Sequence, residues 1–363
     1  MEKLGYENIT VADGRLVMEG NVEDVARLNL WLRTADRVLI LMGEFHADTF
    51  DELYEGVKKL DWENWIDPMG NFTVEGRSVK SKLFSIKDCQ RITERALIDK
   101  LKQRDKKEYY EKTGVRYRVE VALLKDIATI TLDTSGVGLH KRGYRARAGD
   151  APLKETLAAA LVMLSFWRPD RVLFDPFCGS GTIAIEAAMI GRNMAPGLSR
   201  DFEAEHWPMI DKKIWKDARV EARSKMDFST PLTIMGSDID HRSILRARDN
   251  AELIGLEDDI TFFIKDMREV DIKDDYGVII TNPPYGERMG EITDLAQLYV
   301  DFAGKYLTLP TWSVYVITSY PDFEQLVLKK ADRRRKLYNG RIETQYYQYL
   351  GPRPPREKDV EEK

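Results

Sequence analysis

From about residue 150 onward the chain alternates short apolar runs with helical patterns, and no other feature constrains its fold as strongly. The runs are Val172–Phe174, Thr233–Ser237, Ile260–Ile264, Val278–Thr281 and Ser313–Thr318. Between them lie helical patterns such as Ile183–Ile190, Ser243–Ile254 and Leu295–Tyr306. A β-α-β-α rhythm predicts an α/β fold with a mostly parallel, doubly wound sheet. Two late strands, Arg334–Leu337 and Ile342–Leu350, have no long helix between them and are predicted to end the sheet as an antiparallel hairpin. Tyr346, Tyr347 and Tyr349 on the last strand are read as sheet packing.

The first 150 residues follow a different pattern. Val22–Leu32, Thr49–Leu60 and Ile86–Gln103 read as helices. Arg37–Met42, Phe72–Gly76, Arg116–Leu124 and Ile127–Thr134 read as strands, with the first run of the seventies ending at Gly76. Lys125-Asp126 is a plausible tight turn between the last two. This mixture suits an α+β module. A length of 363 residues allows roughly two to three domains.

Charge points to a partner surface only after it is divided along the chain. The formal net charge of −5 argues mildly against a nucleic-acid partner. Residues 1–75 carry −9, residues 76–147 carry +10 and residues 148–363 carry −6. A basic module thus lies between two acidic ones, and Arg333-Arg334-Arg335 adds a second cluster. Solvated faces are the ordinary explanation of such clusters. Two of them beside a nucleobase-chemistry motif point to a polyanion. Arg77, Lys80, Lys82, Lys141, Arg142, Arg145 and Arg334 are the candidate RNA contacts. His140 stands in the same basic segment, as a phosphate contact or a structural residue.

No apolar run approaches the roughly 20 residues that span a bilayer, and the first residues have no apolar signal core. Two isolated cysteines, Cys89 and Cys178, suit a reducing cytoplasm. Those cysteines and the scattered His46, His140, His206 and His241 show no ligand spacing, so no metal is expected.

Val172 to Thr182 runs from a strand through Asp175-Pro176-Phe177-Cys178-Gly179-Ser180-Gly181 into a helix. Gly179 and Gly181 can adopt positive φ and let a ligand approach the backbone. The following helix offers unpaired N–H groups at the carboxyl edge of the sheet. Ala184 stands where a dinucleotide fingerprint has its third glycine. Asp175 suits a cationic amino acid or a ribose better than a pyrophosphate, which favours S-adenosyl-L-methionine over a nicotinamide cofactor. Asp238 ends the second strand and could take both ribose hydroxyls. It lies 63 residues beyond Asp175 against the usual value of about 20, so residues 192–231 read as an insertion. Asp266 follows the third strand and could accept from an adenine amine. Each Asp alone reads as a helix cap or surface residue. Three at successive strand ends read as a site. Cys178, inside the turn, reads as a small turn residue rather than a nucleophile.

Asn282-Pro283-Pro284-Tyr285-Gly286 ends the fourth strand and is the most specific stretch. An exocyclic amine is a poor nucleophile because its lone pair is delocalised into the ring. The Asn282 side-chain oxygen and the Pro283 carbonyl could each accept one of its N–H groups and aim the lone pair at a methyl group. Positioning supplies most of the remaining catalysis. Pro283 and Pro284 stiffen the corner, and Tyr285 would stack on a flipped-out base. Most Asn-Pro and Pro-Pro dipeptides only cap strands. Register with a glycine turn and acidic strand ends favours catalysis.

With these motifs, residues 149–350 resemble class I S-adenosylmethionine-dependent N-methyltransferases of exocyclic amines. Together with Leu139-His140-Lys141-Arg142-Gly143-Tyr144-Arg145, they resemble more narrowly the bacterial THUMP-containing 23S ribosomal-RNA guanine-N2 methyltransferases. The resemblance implies a partial ferredoxin-like piece over residues 1–44, a THUMP RNA-binding domain over 45–148 and a methyltransferase domain over 149–363. It implies that the chain begins inside the ferredoxin-like piece and is of the stand-alone type. It places cofactor binding on Asp175, Phe177, Gly179, Gly181, Thr182, Asp238, Ile239, Asp266 and Met267. Lys154 and Thr156, in Pro152-Leu153-Lys154-Glu155-Thr156, join them. It places the target amine at Asn282, Pro283, Pro284 and Tyr285, on structured RNA in the cytoplasm. An adenine-N6 methyltransferase on RNA or DNA fits the same corner. A non-catalytic RNA-binding assembly factor and, last, a nicotinamide dehydrogenase are the other readings.

Overall fold

The computed structural model describes residues 1–12, 14–145, 153–285 and 292–355. Pro152, Gly286 and the boundary expected at residues 148–149 lie outside the described residues. The chain forms two compact units, residues 1–139 with 200–224, and residues 140–199 with 225–363.

The first unit begins with a short hairpin, β1 (Thr10–Ala12) and β2 (Arg15–Val17), then α1 (Val22–Trp31). β3 (Leu39–His46), α2 (Phe50–Lys58), β4 (Asn71–Val79), α3 (Ile86–Asp105), β5 (Arg116–Leu124) and β6 (Ile127–Asp133) follow. Capping boxes start two of these helices: Asn21 with Asp24 at α1, and Thr49 with Glu52 at α2. The four larger strands pair in the order β3-β6-β5-β4, with β4 parallel to β5 and the other pairs antiparallel. Lys125 and Asp126 both have positive φ, as a tight hairpin turn requires. Two expectations need correction here. β4 does not end at Gly76 but runs on to Val79, paired with β5 residue for residue. Gly76 is the point where α3 comes close: a Cβ there would stand 3.0 Å from Gln90 and 3.1 Å from Ile86. β3 starts later than expected and extends to His46, with an irregularity between Leu41 and Gly43.

Residues 200–224, the middle of the insertion in the crossover, are part of this first unit. Trp207 stacks on Tyr117 with ring centroids 4.9 Å apart, and its Nε1 donates to the Arg116 carbonyl at 3.0 Å. A helix over Lys212–Ser224 packs beside α1. The basic segment is also less naked than its sequence suggests. Arg77 pairs with Glu120 at 2.9 Å, Arg118 with Glu75 at 3.1 Å, Lys100 with Glu63 at 3.4 Å, and Lys82 with Asp48. Acids from the −9 segment therefore neutralise part of the +10 segment.

The second unit holds α4 (Glu155–Leu164), β7 (Leu173–Asp175) and α5 (Thr182–Gly191); counting the Lys212–Ser224 helix as α6, it continues with β8 (Ile234–Asp238), α7 (His241–Glu252) and β9 (Ile260–Ile264). Then come β10 (Val278–Thr281), α8 (Ile292–Tyr306), β11 (Ser313–Thr318), α9 (Phe323–Leu326), β12 (Arg333–Asn339) and β13 (Ile342–Tyr349). The sheet order is β12-β13-β11-β10-β7-β8-β9. Strands β7 to β11 pair in parallel, and β12 and β13 close the sheet antiparallel. This is the doubly wound sheet with a terminal hairpin that the sequence predicts.

Strand residues alternate between two cores. Leu173, Val278, Ile280, Tyr315 and Tyr346 belong to the core shared with α4, α5 and α7. Phe174, Ile279, Val314, Val316, Tyr347 and Tyr349 belong to the core shared with α8. Both faces are buried, as a parallel sheet requires. Helix α4 had no signal in the sequence because Glu155-Thr156-Leu157-Ala158-Ala159-Ala160-Leu161 is apolar nearly all round, which hides the period of a half-exposed helix.

Candidate active site

Strand β7 ends at Asp175 in the middle of the sheet, flanked by β8 and β10. The next residues turn back under Gly179 (φ 52°) and Gly181 (φ 80°) before α5 begins. The two glycines serve different ends. A Cβ on Gly181 would stand 2.7 Å from the Phe262 ring and 3.0 Å from Ala247, so it is needed for packing as well as for φ. A Cβ on Gly179 would meet nothing within 4 Å, which leaves open space over the turn. Gly181 is the N-cap of α5 and brings no side chain to its first N–H groups, so they remain available to a ligand.

Three acids stand where the strand ends predict, each in a different state. Asp175 is buried, and its Oδ1 accepts from the Thr281 hydroxyl at 2.6 Å and the Phe177 N–H at 3.1 Å. Burial pushes its carboxyl up to about 7 against those hydrogen bonds. Asp238 is half-buried; its Oδ2 accepts from the Gly179 N–H at 3.0 Å and its Oδ1 from the Asp240 N–H at 2.9 Å. Each of those oxygens has a further lone pair for a hydroxyl donor. Asp266 caps the short turn Met267–Glu269, accepting from the Arg268 N–H at 2.8 Å and pairing with that guanidinium at 3.1 Å. Beside Asp238, Ile239 is 71% exposed, an apolar surface at the lip of the turn. The donor set therefore fits an amino-acid ammonium, a ribose and a flat apolar ring, the three parts of S-adenosylmethionine.

Other candidates are placed differently from expectation. The Met267 side chain is buried in the α8 core, so only its backbone could face a ligand; its carbonyl already accepts from Tyr306. Thr182 and Thr156 are buried, and Lys154 is the half-buried N-cap of α4. Phe177 is half-buried, 6.1 Å from Phe302. Cys178 is buried, and burial with the nearby Asp175 and Asp238 raises its thiol well above the ordinary value, which suits a turn residue and not a nucleophile.

Strand β10 delivers the second motif beside the first. Asn282 follows Thr281 directly, and the Thr281–Asp175 bond ties the two motifs together. Pro283 is buried and Pro284 exposed; the Pro284 carbonyl accepts from Tyr299 Oη at 2.8 Å. The hydroxyl of Tyr285, the residue expected to stack on a flipped base, donates to Asn282 Oδ1, the acceptor expected for the target amine. Burial holds that phenol up at about 12, so it stays a donor.

The candidate RNA contacts divide. Arg142 is a correction: only 2% exposed, it bonds Glu186 inside the second unit. Arg145 is another, half-buried and bonded to Thr182. Lys141 is exposed, His140 half-buried, and Lys80 sits with positive φ just past β4. Arg77 and Lys82 are exposed but paired with acids. Arg334 lies on the edge strand β12 and meets Glu324 at 3.4 Å; exposed charge on an edge also blocks unwanted strand pairing.

Sequence reasoning missed the residues that hold the motifs in place. Asn250 of α7 donates to the Ser180 carbonyl at 3.0 Å, and Tyr299 reaches both Pro284 and Thr318. Only Thr281, adjacent to Asn282, carried a local signal.

A seven-stranded sheet in this order, with a glycine turn after its central strand and acids at the next two strand ends, defines a class I S-adenosylmethionine-dependent methyltransferase. The RMKL-like methyltransferase domain family matches residues 142–348, the THUMP domain residues 47–133 and the RlmL ferredoxin-like domain residues 1–39. The chain belongs to this family of THUMP-bearing RNA methyltransferases. It is 51% identical to the Bacillus subtilis (strain 168) protein described as "Putative RNA methyltransferase YpsC", over 99% of this chain and 93% of that protein. It is 32% identical to the ribosomal RNA large subunit methyltransferase K/L of Shewanella pealeana (strain ATCC 700345 / ANG-SQ1). That match covers 96% of this chain and spans half the length of the Shewanella protein. A structure described as "Crystal structure of SMU.472, a putative methyltransferase complexed with SAH" superimposes with a TM-score of 0.91 at 42% identity, covering 98% of this chain and 94% of that one. Among the described residues no helix is long and apolar enough to cross a membrane.

Proposed function

We propose that the protein methylates the exocyclic N2 amine of a guanine in 23S ribosomal RNA, acting in the cytoplasm. The observation that carries methylation of an exocyclic amine is the 2.6 Å bond from Thr281 to Asp175, which supports an amine-accepting corner beside a cofactor turn 106 residues away in sequence. When bound, S-adenosylmethionine supplies an electrophilic methyl group on a sulfonium. Asp175 would receive its ammonium, Asp238 its ribose hydroxyls, and Ile239 and Asp266 its adenine. Gly179 would leave room for it, and the N–H groups at the head of α5 would be donors for its carboxylate.

Asn282 Oδ1 and the Pro283 carbonyl each accept one N–H of the target amine. This localises the nitrogen lone pair and points it along the line of transfer, and orientation of this kind contributes several kcal/mol to the barrier reduction. For the amine to enter, the Tyr285 hydroxyl leaves Asn282, and its ring becomes free to stack on the flipped base. Pro283 and Pro284 keep the corner from yielding. Exposed cations of the first unit, Lys80 and Lys125 among them, contact phosphate, as does the exposed Lys141 of the second unit.

Guanine N2 rests on the resemblance to the K/L enzyme; the corner itself serves an adenine N6 amine equally well. Mass spectrometry of nucleosides from the ribosomal RNA of a deletion strain tests the choice. Loss of N2-methylguanosine from the large-subunit RNA supports the proposal. Unchanged N2-methylguanosine with loss of N6-methyladenosine would replace it with the adenine reading.

A further inference from the structure

The segment Arg142-Gly143-Tyr144-Arg145, with its basic composition, reads in sequence as an RNA contact. In the structure it grips helix α5 from behind. Arg142 Nε donates to Glu186 Oε1 at 3.2 Å, and Tyr144 Oη reaches the same oxygen at 3.4 Å. Arg145 Nη2 donates to Thr182 Oγ1 at 2.6 Å and to the Leu153 carbonyl at 3.3 Å, while its Nη1 pairs with Glu155 at 3.3 Å. Thr182 and Glu186 are four residues apart, so both anchors fall on one face of α5. Gly143 passes so close to the chain that a Cβ would stand 2.2 Å from the Ser199 carbonyl.

Burial makes this cluster costly. Glu186 is fully buried and Arg142 and Glu155 are 2% exposed. Glu186 Oε2 and Arg145 Nε have no hydrogen-bond partner among the described residues. Buried ion pairs return little net stability after desolvation, and their best-attested use is to select one arrangement among several. The arrangement in question is the head of α5. Thr182 is its first residue, and Gly181, the N-cap, has no side chain with which to hold it. The hydroxyl that follows the glycine turn is therefore fixed by a guanidinium from another segment.

We propose that Arg145, held by Glu155, is a positioning residue for methyl transfer: it orients Thr182 and thereby the N–H groups at the mouth of the glycine turn. The inference rests on reading residues 175–182 as the cofactor turn. It assigns Arg145 to cofactor affinity and not to RNA affinity.

Two variants of the full chain test it, with S-adenosylhomocysteine as the calorimetric probe. Arg145→Met with Glu155→Leu removes both charges for apolar groups of similar volume, which buried pairs tolerate. Arg145→Lys keeps the charge but loses the planar fork that spans Thr182 and Glu155. The double variant is expected to melt within a few degrees of the wild type, to bind the probe about tenfold or more weakly, and to bind RNA unchanged. The lysine variant is expected to fall between, and it decides the matter if the double variant does not fold. Wild-type probe affinity in the folded variants, or a loss confined to RNA affinity, overturns the proposal. Asp238→Ala separates the two levels. If it binds the probe normally, the reading of the turn itself is wrong. If it loses the probe while the Arg145 variants keep it, only the positioning role falls.

Discussion

Replacing Asp175 with Asn should stabilise the ligand-free protein at alkaline pH while weakening its cofactor site. Both hydrogen bonds to this residue, from Thr281 and from Phe177, go to Oδ1, which an asparagine retains. What changes is the charge. The folded carboxyl ionises at about 7 against an ordinary value of 3.8, with burial as the main cause. The folded state thus holds its proton more tightly than the unfolded state. Folding pays no penalty below pH 3.8, a growing one as pH rises to about 7, and a constant one above. At 1.36 kcal/mol per unit, the full penalty is about 4 kcal/mol. The new amide NH2 also needs a partner, at about 1–3 kcal/mol, which leaves a net gain of about 1–3 kcal/mol at pH 8. For a domain of roughly 200 residues that is a rise of about 3–8 °C in Tm.

Thermal melts at pH 5 and pH 8 read the effect. The difference between variant and wild type should be near zero or negative at pH 5 and positive at pH 8. Calorimetry with S-adenosylhomocysteine supplies the other half. On the proposed placement of the ligand's ammonium at Asp175, the wild type should bind less tightly by up to tenfold per pH unit below about 7. The Asn variant should bind weakly and lack that slope. A variant that binds the ligand as tightly as the wild type, or a Tm difference that does not change with pH, would refute the reasoning.

Other expectations concern the corner and the charges. Asn282→Ala should lower methyl transfer by about 10²–10³-fold, as loss of a positioned hydrogen-bonding group does, with unchanged affinity for S-adenosylhomocysteine. Tyr285→Phe frees Asn282 while keeping the ring, so kcat/KM for RNA should hold or rise; Tyr285→Ala should lose about tenfold or more with the stacking surface. Lys141→Ala should reduce the salt slope of RNA binding by about one, whereas Arg142→Ala should leave that slope alone and lower Tm, because it strands Glu186 at a cost of about 3–5 kcal/mol. Trp207→Ala should destabilise the first unit by about 3–5 kcal/mol, measured by denaturant unfolding, since it removes a fully packed ring from Tyr117.

The sheet was legible in the sequence because both its faces are buried: short apolar runs separated by helical patterns have few other ways to fold. Ile260–Ile264, Val278–Thr281 and Ser313–Thr318 coincide with their predicted bounds for this reason. Glycine and proline were equally informative, since Gly181 and the Pro283-Pro284 corner act through local backbone geometry that the residue type alone dictates. Charge was less informative. The +10 segment is a linear count, while ion pairs such as Lys82–Asp48 are decided in space. Arg142 and Arg145 were read as surface cations because nothing local marks their distant partners, Glu186 and Thr182. The insertion could be recognised from the long Asp175–Asp238 interval, yet the membership of its residues 200–224 in the first unit depends on Trp207 meeting Tyr117, 90 residues away. The sequence by itself determined the periodicities, the turns and the identity of the chemical groups, all of which depend on neighbours in the chain. The tertiary structure decided which charges are buried, which hydroxyl occupies Asn282 and which residues hold the glycine turn, because those depend on contacts between segments that only folding brings together.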